Sequence, residues 1–210
     1  NGEGLQHQDG HSHILSSTIP NCLSYDPTFS YEVAVIIKDG IKKMYVDQKN
    51  YFYYITTTNE NYEHPPMPKG AEEGIVKGMY KLIESKTPAI RLLGSGSILN
   101  ESIRAKSILD NYGIESEIWS VTSFNLLRKD GMEVERYNQL NPTKKEKKTY
   151  VEECFKNEPI PVIASTDYMR SYAEQIRPYI KDNFTVLGTD GFGRSDSRSS
   201  LREFFEIDAS

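Results

Sequence analysis

Short strand-like runs alternate with stretches of helical periodicity along this chain, and this alternation restricts the fold more than any other feature. Residues 19–25 read as a short strand, and residues 51–57 are aromatic and β-branched, which is typical of another. Apolar residues recur at helical spacing between them, from Phe29 to Met44. Asp26 is the expected N-cap of this helix, and Pro27 its first residue. Strand, helix and strand form the repeating unit of a parallel sheet.

The alternation continues after a proline-rich segment. Pro65, Pro66 and Pro68 predict an extended connection between residues 59 and 70, because proline fixes φ and lacks a donor. Five further strands are predicted, at residues 77–83, 89–93, 118–121, 161–165 and 184–188, with helices after 97, after 168 and from 201. We therefore predict an α/β fold with a mostly parallel, twisted sheet flanked by helices at residues 63–210. The tail of another α/β domain precedes it at residues 1–62.

Charge and composition exclude several functional classes. The formal net charge of -5 argues against a protein that binds nucleic acid or membrane surfaces. The basic run at residues 144–148 is expected to be a solvated loop or helix start. Cys22 and Cys154 are far apart and lack metal-ligand spacing, which indicates inert thiols in a reduced, intracellular protein.

Three of the four histidines lie within seven residues, at positions 7, 11 and 13. Glu3 and Asp9 stand beside them, and the glycines of this segment permit turns that bring side chains together. Imidazoles exchange protons near neutral pH and bind metals, so this cluster is the first candidate for a functional site.

Two glycine-rich loops follow predicted strands. The turn at residues 94–96 lacks the third glycine of a dinucleotide-binding fingerprint, since Leu99 occupies that position, so an ordinary tight turn is favoured. The loop at residues 188–198 is compatible with an anion site at a helix N-terminus. The favoured alternative is that Asp196 or Ser197 caps the helix while Arg194 and Arg198 pair with carboxylates across an interface.

Seven blocks distributed along the chain resemble one known family. They are NGEGLQHQDGHSH at 1–13, IPNC at 19–22, YYITTTNENY at 53–62, LLGSGSI at 92–98, SVTSF at 120–124, ASTDYM at 164–169 and LGTDGFGRSDSR at 187–198. In this order they look like the homodimeric bacterial pyruvate dehydrogenase E1 component, of the transketolase superfamily. The resemblance covers the end of the family's pyrimidine-binding middle domain, at residues 1–62, and most of its transketolase C-terminal-like domain, at residues 63–210.

The resemblance implies an enzyme that decarboxylates pyruvate with thiamine diphosphate and Mg²⁺ and acetylates the lipoyl group of an E2 acetyltransferase. It implies His7 and Glu3 as catalytic residues, a homodimer, and a cytoplasmic location. The cofactor-binding motif, Gly-Asp-Gly followed by Asn, is absent from this chain. We therefore assign no cofactor or metal ligands here. We expect a piece of a longer polypeptide that is inactive by itself.

Two other functions remain open. The segment is also compatible with a non-catalytic dimerisation or assembly module. Less favoured is a metal-dependent hydrolase built on His7, Asp9, His11 and His13, with His64 as a distant further ligand. This alternative requires an extended segment, on which His11 and His13, two residues apart, face the same side.

Overall fold

The computed structural model describes residues 5–156 and 158–210. The helices are α1 (Ser12–Ser17), α2 (Ser30–Ile41), α3 (Glu72–Lys77), α4 (Leu99–Asn111), α5 (Phe124–Leu140), α6 (Tyr150–Phe155), α7 (Ser171–Glu174) and α8 (Arg198–Phe204). The strands are β1 (Cys22–Tyr25), β2 (Phe52–Ile55), β3 (Met79–Ile83), β4 (Ile90–Gly94), β5 (Ser116–Val121), β6 (Val162–Ser165) and β7 (Phe184–Leu187). A π-helical turn (Lys42–Val46) extends α2. No helix of the described part is long and apolar enough to cross a membrane.

The strands form two sheets. Strands β1 and β2 pair in parallel, and the larger sheet has the order β3-β5-β4-β6-β7, in which only the β3–β5 pair is antiparallel. The α/β fold with a mostly parallel sheet is therefore confirmed. Because parallel strands end at the same edge of a sheet, the loops that follow β4, β6 and β7 lie side by side. The division of the chain at residues 62 and 63 stays a prediction.

The main error of the secondary-structure prediction is α5, the longest helix, which was not expected. Most of its residues are polar, and its buried residues are Phe124, Asn125, Leu127 and Gly131, so the sequence offers few core-type residues here. Gly131 adds no apolar side chain to the buried face, because it lies directly under the ring of Tyr179, where a Cβ atom would come within 2.1 Å of the ring. The helix packs closely because one of its inward positions has no side chain.

The start of α2 also differs from the prediction, in which Asp26 was its N-cap. The helix begins at Ser30, and the carboxylate of Glu32 accepts the N–H groups of Thr28 (2.5 Å) and Phe29 (2.9 Å). Since Glu32 satisfies these unpaired donors, Asp26 has no capping role. Its carboxyl group turns instead towards Thr56 of the neighbouring chain segment.

Glu32 also joins the two sheets. It is fully buried, and its other oxygen accepts hydroxyl hydrogen bonds from Tyr80 of β3 (2.7 Å) and Ser120 of β5 (2.6 Å). Burial raises the pKa of this carboxyl, and the four donors oppose that effect. The helix that connects β1 and β2 is thereby fixed to the larger sheet.

We expect Glu32→Ala to lower the free energy of unfolding by about 3 kcal/mol or more, because four buried donors lose their acceptor. Glu32→Gln should cost less than half as much, since its amide oxygen still accepts the two backbone N–H groups and its NH₂ can donate to the two hydroxyls. Urea denaturation of both variants measures this difference. Equal losses in the two variants would contradict the role of Glu32 as an acceptor.

Candidate active site

A cleft lies where strands of both sheets end. Its cavity has a volume of about 360 Å³. Lining residues come from the segments that follow β1, β2, β4 and β6 and from the N-terminal loop, namely His7, Asp9, Asp26, Pro27, Thr56, Thr57, Thr58, Asn59, Gly96, Ser97, Asp167 and Tyr168. A second cavity of about 60 Å³ adjoins it, and five residues, including Asp9 and Asp167, line both. Ligands of α/β proteins commonly bind at this edge of the sheet.

His7 lies in the lining of this cleft, as its predicted catalytic role requires. It ends a 3-10 turn, Leu5–His7, at the start of the described chain. Two hydrogen bonds hold the loop that follows it. Gly193 N–H donates to Gln8 Oε1 (2.9 Å), and Met169 N–H donates to the carbonyl of Gly10 (3.1 Å). Glu3, the other predicted catalytic residue, lies outside the described residues.

The remaining histidines do not join His7. His13 is fully buried in α1, where its ring stacks on Tyr172 and its Nε2 lies 2.9 Å from Thr56 Oγ1. Burial lowers the pKa of His13 to about 4, although Asp9 acts in the opposite direction. His64 accepts the N–H of Ser30 at 2.9 Å.

The prediction of an extended segment that carries a metal site is therefore wrong, because α1 places His13 in the core while His11 precedes the helix. Within residues 5–156 and 158–210, no group of three or more His, Cys, Asp or Glu side chains is arranged to hold a metal ion. Asp9 has a local role. It accepts hydrogen bonds from the Ser12 N–H (3.0 Å) and from the Ser12 hydroxyl (2.5 Å) at the start of α1.

Asp26 forms part of the cleft floor, a position that the sequence prediction missed. Only 6% of the residue is exposed, and its Oδ1 accepts a hydrogen bond from Thr56 Oγ1 at 2.8 Å. Burial raises the pKa of Asp26 to about 7; the hydroxyls of Thr56 and Ser95 oppose this effect, while Asp167 and Glu32 add to it. The available sequence signal was an acidic residue directly after a strand, in Tyr25–Asp26–Pro27.

The turn after β4 is the tight turn that the sequence favoured, and it closes against Asp26. Gly96 N–H donates to the Asp26 carbonyl (3.1 Å), and Thr28 Oγ1 donates to the carbonyl of Gly96 (2.6 Å). Gly96 has a φ of +52°, and a Cβ atom there would lie 2.7 Å from Asp26 Oδ2. The close approach of this backbone to the carboxyl therefore requires glycine.

The loop at 188–198 follows the favoured alternative in the cap of α8, and Arg198 makes its contacts within the chain. Ser197 Oγ caps α8 by accepting the Ser200 N–H (3.2 Å). Arg198 reaches the segment after β2, with one nitrogen 2.6 Å from Asn59 Oδ1 and another 3.9 Å from Glu60. Arg194 differs from the expectation, because its guanidinium lies over the ring of Phe204.

The pKa values of His13 and Asp26 predict opposite effects of pH on stability. Because the folded-state pKa of Asp26 is raised to about 7 from 3.8, its contribution to stability is lost as pH rises from about 4 to about 7. The folded-state pKa of His13 is lowered to about 4 from 6.5. The contribution of His13 to stability is therefore lost as pH falls from about 6.5 to about 4. The two slopes partly cancel in the wild-type protein.

We compare the free energy of unfolding of Asp26→Asn with that of wild type at each pH. This difference should increase by about 2–4 kcal/mol in favour of the variant when the pH is raised from 4.5 to 8. His13→Phe, which keeps an aromatic ring but cannot titrate, should gain relative stability as pH falls through the same range. Urea denaturation at several pH values tests both variants. Curves that run parallel to the wild-type curve would contradict the protonation states assigned to these buried groups.

Comparison with known proteins gives matches to two family descriptions. Residues 1–65 match the pyruvate dehydrogenase E1 component middle domain, and residues 78–208 match the transketolase-like TK C-terminal domain. The chain is 61% identical to a pyruvate dehydrogenase E1 component of Pseudomonas aeruginosa and 56% identical to one of Escherichia coli, over 99% and 100% of its own length. It spans 24% of the length of each of these relatives.

Solved structures give the same fold. A transketolase from Pichia stipitis, determined as the R356L mutant with fructose 6-phosphate, matches all of this chain with a TM-score of 0.71 and 16% identity. The chain covers 26% of that protein. A split-gene transketolase, described as an inactive β4 tetramer, matches 98% of the chain with a TM-score of 0.65 and 13% identity; 60% of that protein is covered.

Proposed function

Because this chain belongs to the transketolase-like family, among the pyruvate dehydrogenase E1 components, we propose that the full-length protein decarboxylates pyruvate and transfers the two-carbon unit to the lipoyl group of an E2 acetyltransferase. The observation that carries the proposal is 61% identity over 99% of the chain to a protein of that name. The position of His7 in a cleft at the ends of the strands supports it.

The family uses thiamine diphosphate, and we propose the same cofactor, with Mg²⁺, for the full-length protein. The residues that line the larger cavity do not fit the diphosphate of this cofactor. Among them are Asp9, Asp26 and Asp167, and none is lysine or arginine. A diphosphate is bound by cations and backbone N–H groups, so we expect its ligands elsewhere in the full-length protein.

The cleft suits the small substrate better. A cavity of about 360 Å³ has ample room for a three-carbon 2-oxo acid, and the hydroxyl groups of Thr57 and Thr58 offer hydrogen-bond donors beside it. In this proposal His7 holds a proton at the carbonyl oxygen of the substrate and exchanges it as charge develops there. Glu3 is proposed as the residue that sets the protonation of His7.

The oligomeric state, the location and the substrate of the full-length protein are proposals as well. We propose a homodimer in the cytoplasm, with pyruvate as substrate. One observation favours assembly as the role of this part of the protein. The outer face of α2 and the turn after it carries large apolar side chains that remain exposed, including Tyr45 (76%) and Val46 (71%). Such a patch is typical of an interface.

The test of the proposed function is pyruvate-dependent reduction of an artificial electron acceptor by the full-length protein with thiamine diphosphate and Mg²⁺. We expect His7→Ala to lower kcat/KM by about 10²–10⁴-fold, the usual contribution of a positioned acid–base group. His11→Ala is the control, because His11 is next to the same loop but lines neither cavity. It should retain activity within about threefold, since surface changes outside such a site have small effects.

Residues 1–210 alone should be inactive in this assay. Turnover by this segment alone, or a fully active His7→Ala enzyme, would contradict the proposed position of the active site. Failure of the wild-type protein to use pyruvate while it uses another 2-oxo acid would change the substrate and leave the cleft assignment in place.

A further inference from the structure

The carboxyl group of Asp26 has few of the partners that an ionised carboxylate requires. Its Oδ1 accepts one hydrogen bond, from Thr56, and its Oδ2 is buried without a hydrogen-bond partner. The nearby Ser95 hydroxyl donates to Thr166 Oγ1 (3.1 Å). Within the described chain, no lysine or arginine lies within 4.0 Å of the Asp26 carboxyl, in contrast to the buried Glu117, which pairs with two cations. Ionisation would therefore leave a buried negative charge that no cation compensates, with only the hydroxyl groups of Thr56 and Ser95 to stabilise it.

The surroundings of Asp26 are acidic. Asp9 and Asp167 line the same cavity, and both Asp167 and Glu32 act on Asp26 by charge repulsion. The titratable groups that surround the Asp26 carboxyl come from every segment packed around it, and they are His7, Asp9, His13, Glu32, Tyr62, Asp167, Tyr168 and Tyr172. Among the described residues, a hydrogen-bond chain through Thr56 links Asp26 to the basic group of His13, which is neutral at pH 7 because burial lowers its pKa to about 4.

We propose that Asp26 is a specificity-determining residue, held as a neutral carboxylic acid on the cleft floor, and that this neutrality allows the cleft to accept a small anionic 2-oxo acid. The inference rests on the function proposed above. Ionisation of Asp26 adds a negative charge to a cavity that Asp9 and Asp167 also line. Because like charges repel more strongly beside a buried group than in bulk water, the substrate carboxylate then binds less well.

The pH at which Asp26 ionises makes this mechanism measurable. Burial raises the pKa of Asp26 to about 7, so the acid ionises within the pH range of ordinary assays. Loss of the proton acts on substrate binding and not on the chemical steps. The Michaelis constant for pyruvate should therefore rise with pH while kcat at saturation changes little.

The experiment compares KM and kcat of the full-length enzyme between pH 6 and pH 9. For wild type we expect KM for pyruvate to rise by about tenfold above pH 7, as a nearby like charge produces. The inhibition constant of the uncharged methyl pyruvate, which has no carboxylate to lose and can only compete for the cleft, should stay constant. Asp26→Asn, which keeps the shape but cannot ionise, should hold KM for pyruvate at its low-pH value. Asp110→Asn is the matched control, since Asp110 is an exposed carboxylate on α4 paired with Lys106; it should follow the wild-type profile.

Thr56 supplies a second, independent pair of variants. Its hydroxyl donates to Asp26, which favours the ionised form, so Thr56→Val should move the rise in KM to higher pH by about one unit. Thr56→Ser, which keeps the donor, should restore the wild-type profile. Infrared absorption of a protonated carboxyl group at neutral pH, lost in Asp26→Asn, reports the acid without any activity measurement.

The outcomes separate the two proposals. A KM for pyruvate that is independent of pH, an equal rise in the inhibition constant of methyl pyruvate, or a rise in KM that persists in Asp26→Asn would overturn the role of Asp26. Absence of the carboxylic acid band that Asp26→Asn removes would overturn it as well. A wild-type enzyme without any pyruvate turnover would instead refute the proposed function, and the infrared result would still decide the state of Asp26.

Discussion

The arrangement of the cleft depends on one buried carboxylate. Glu32 accepts hydrogen bonds from two backbone N–H groups that precede α2 and from hydroxyl groups on β3 and β5. Because it fixes α2 to the larger sheet, it also fixes the end of β1, where the Asp26 N–H donates to the Thr122 carbonyl at 2.8 Å. The edges of two separate sheets thus become one surface. A cleft lined by both could not keep its shape if this contact were loose.

The distribution of charge around the cleft follows from how its cations are used. Arg202 forms ion pairs with Glu60 (2.6 Å) and Glu101 (3.0 Å), beside the smaller cavity. Arg198 lies next to it and contacts Asn59. These arginines join the segment after β2 to α4 and α8 and do not line the larger cavity. That cavity is therefore lined by carboxyl and hydroxyl groups and by no arginine or lysine among the described residues.

Much of the architecture was predictable, because strands with aromatic and β-branched residues, such as β2, carry a local signal. The α5 helix was not predictable in the same way, since its packing depends on a glycine that fits a distant tyrosine ring. The cleft was predicted only through His7. Asp26 was read as a helix cap because its sequence neighbours fit that role equally well, and only the capping contact made by Glu32 excludes it. The burial of His13 likewise depends on Tyr168 and Tyr172, more than 150 positions away.

The hydrogen bond between Gln8 and Gly193 has a consequence for the order of folding. It joins residues 185 positions apart, so it closes a loop of almost the entire described chain. Contacts of such long sequence separation form late, after local helices and neighbouring strands have paid most of the entropy of ordering. We therefore expect the loop that follows His7 to dock last. A folding intermediate with both sheets formed would still lack the geometry of the cleft, and only the completed fold would bring His7 to its substrate.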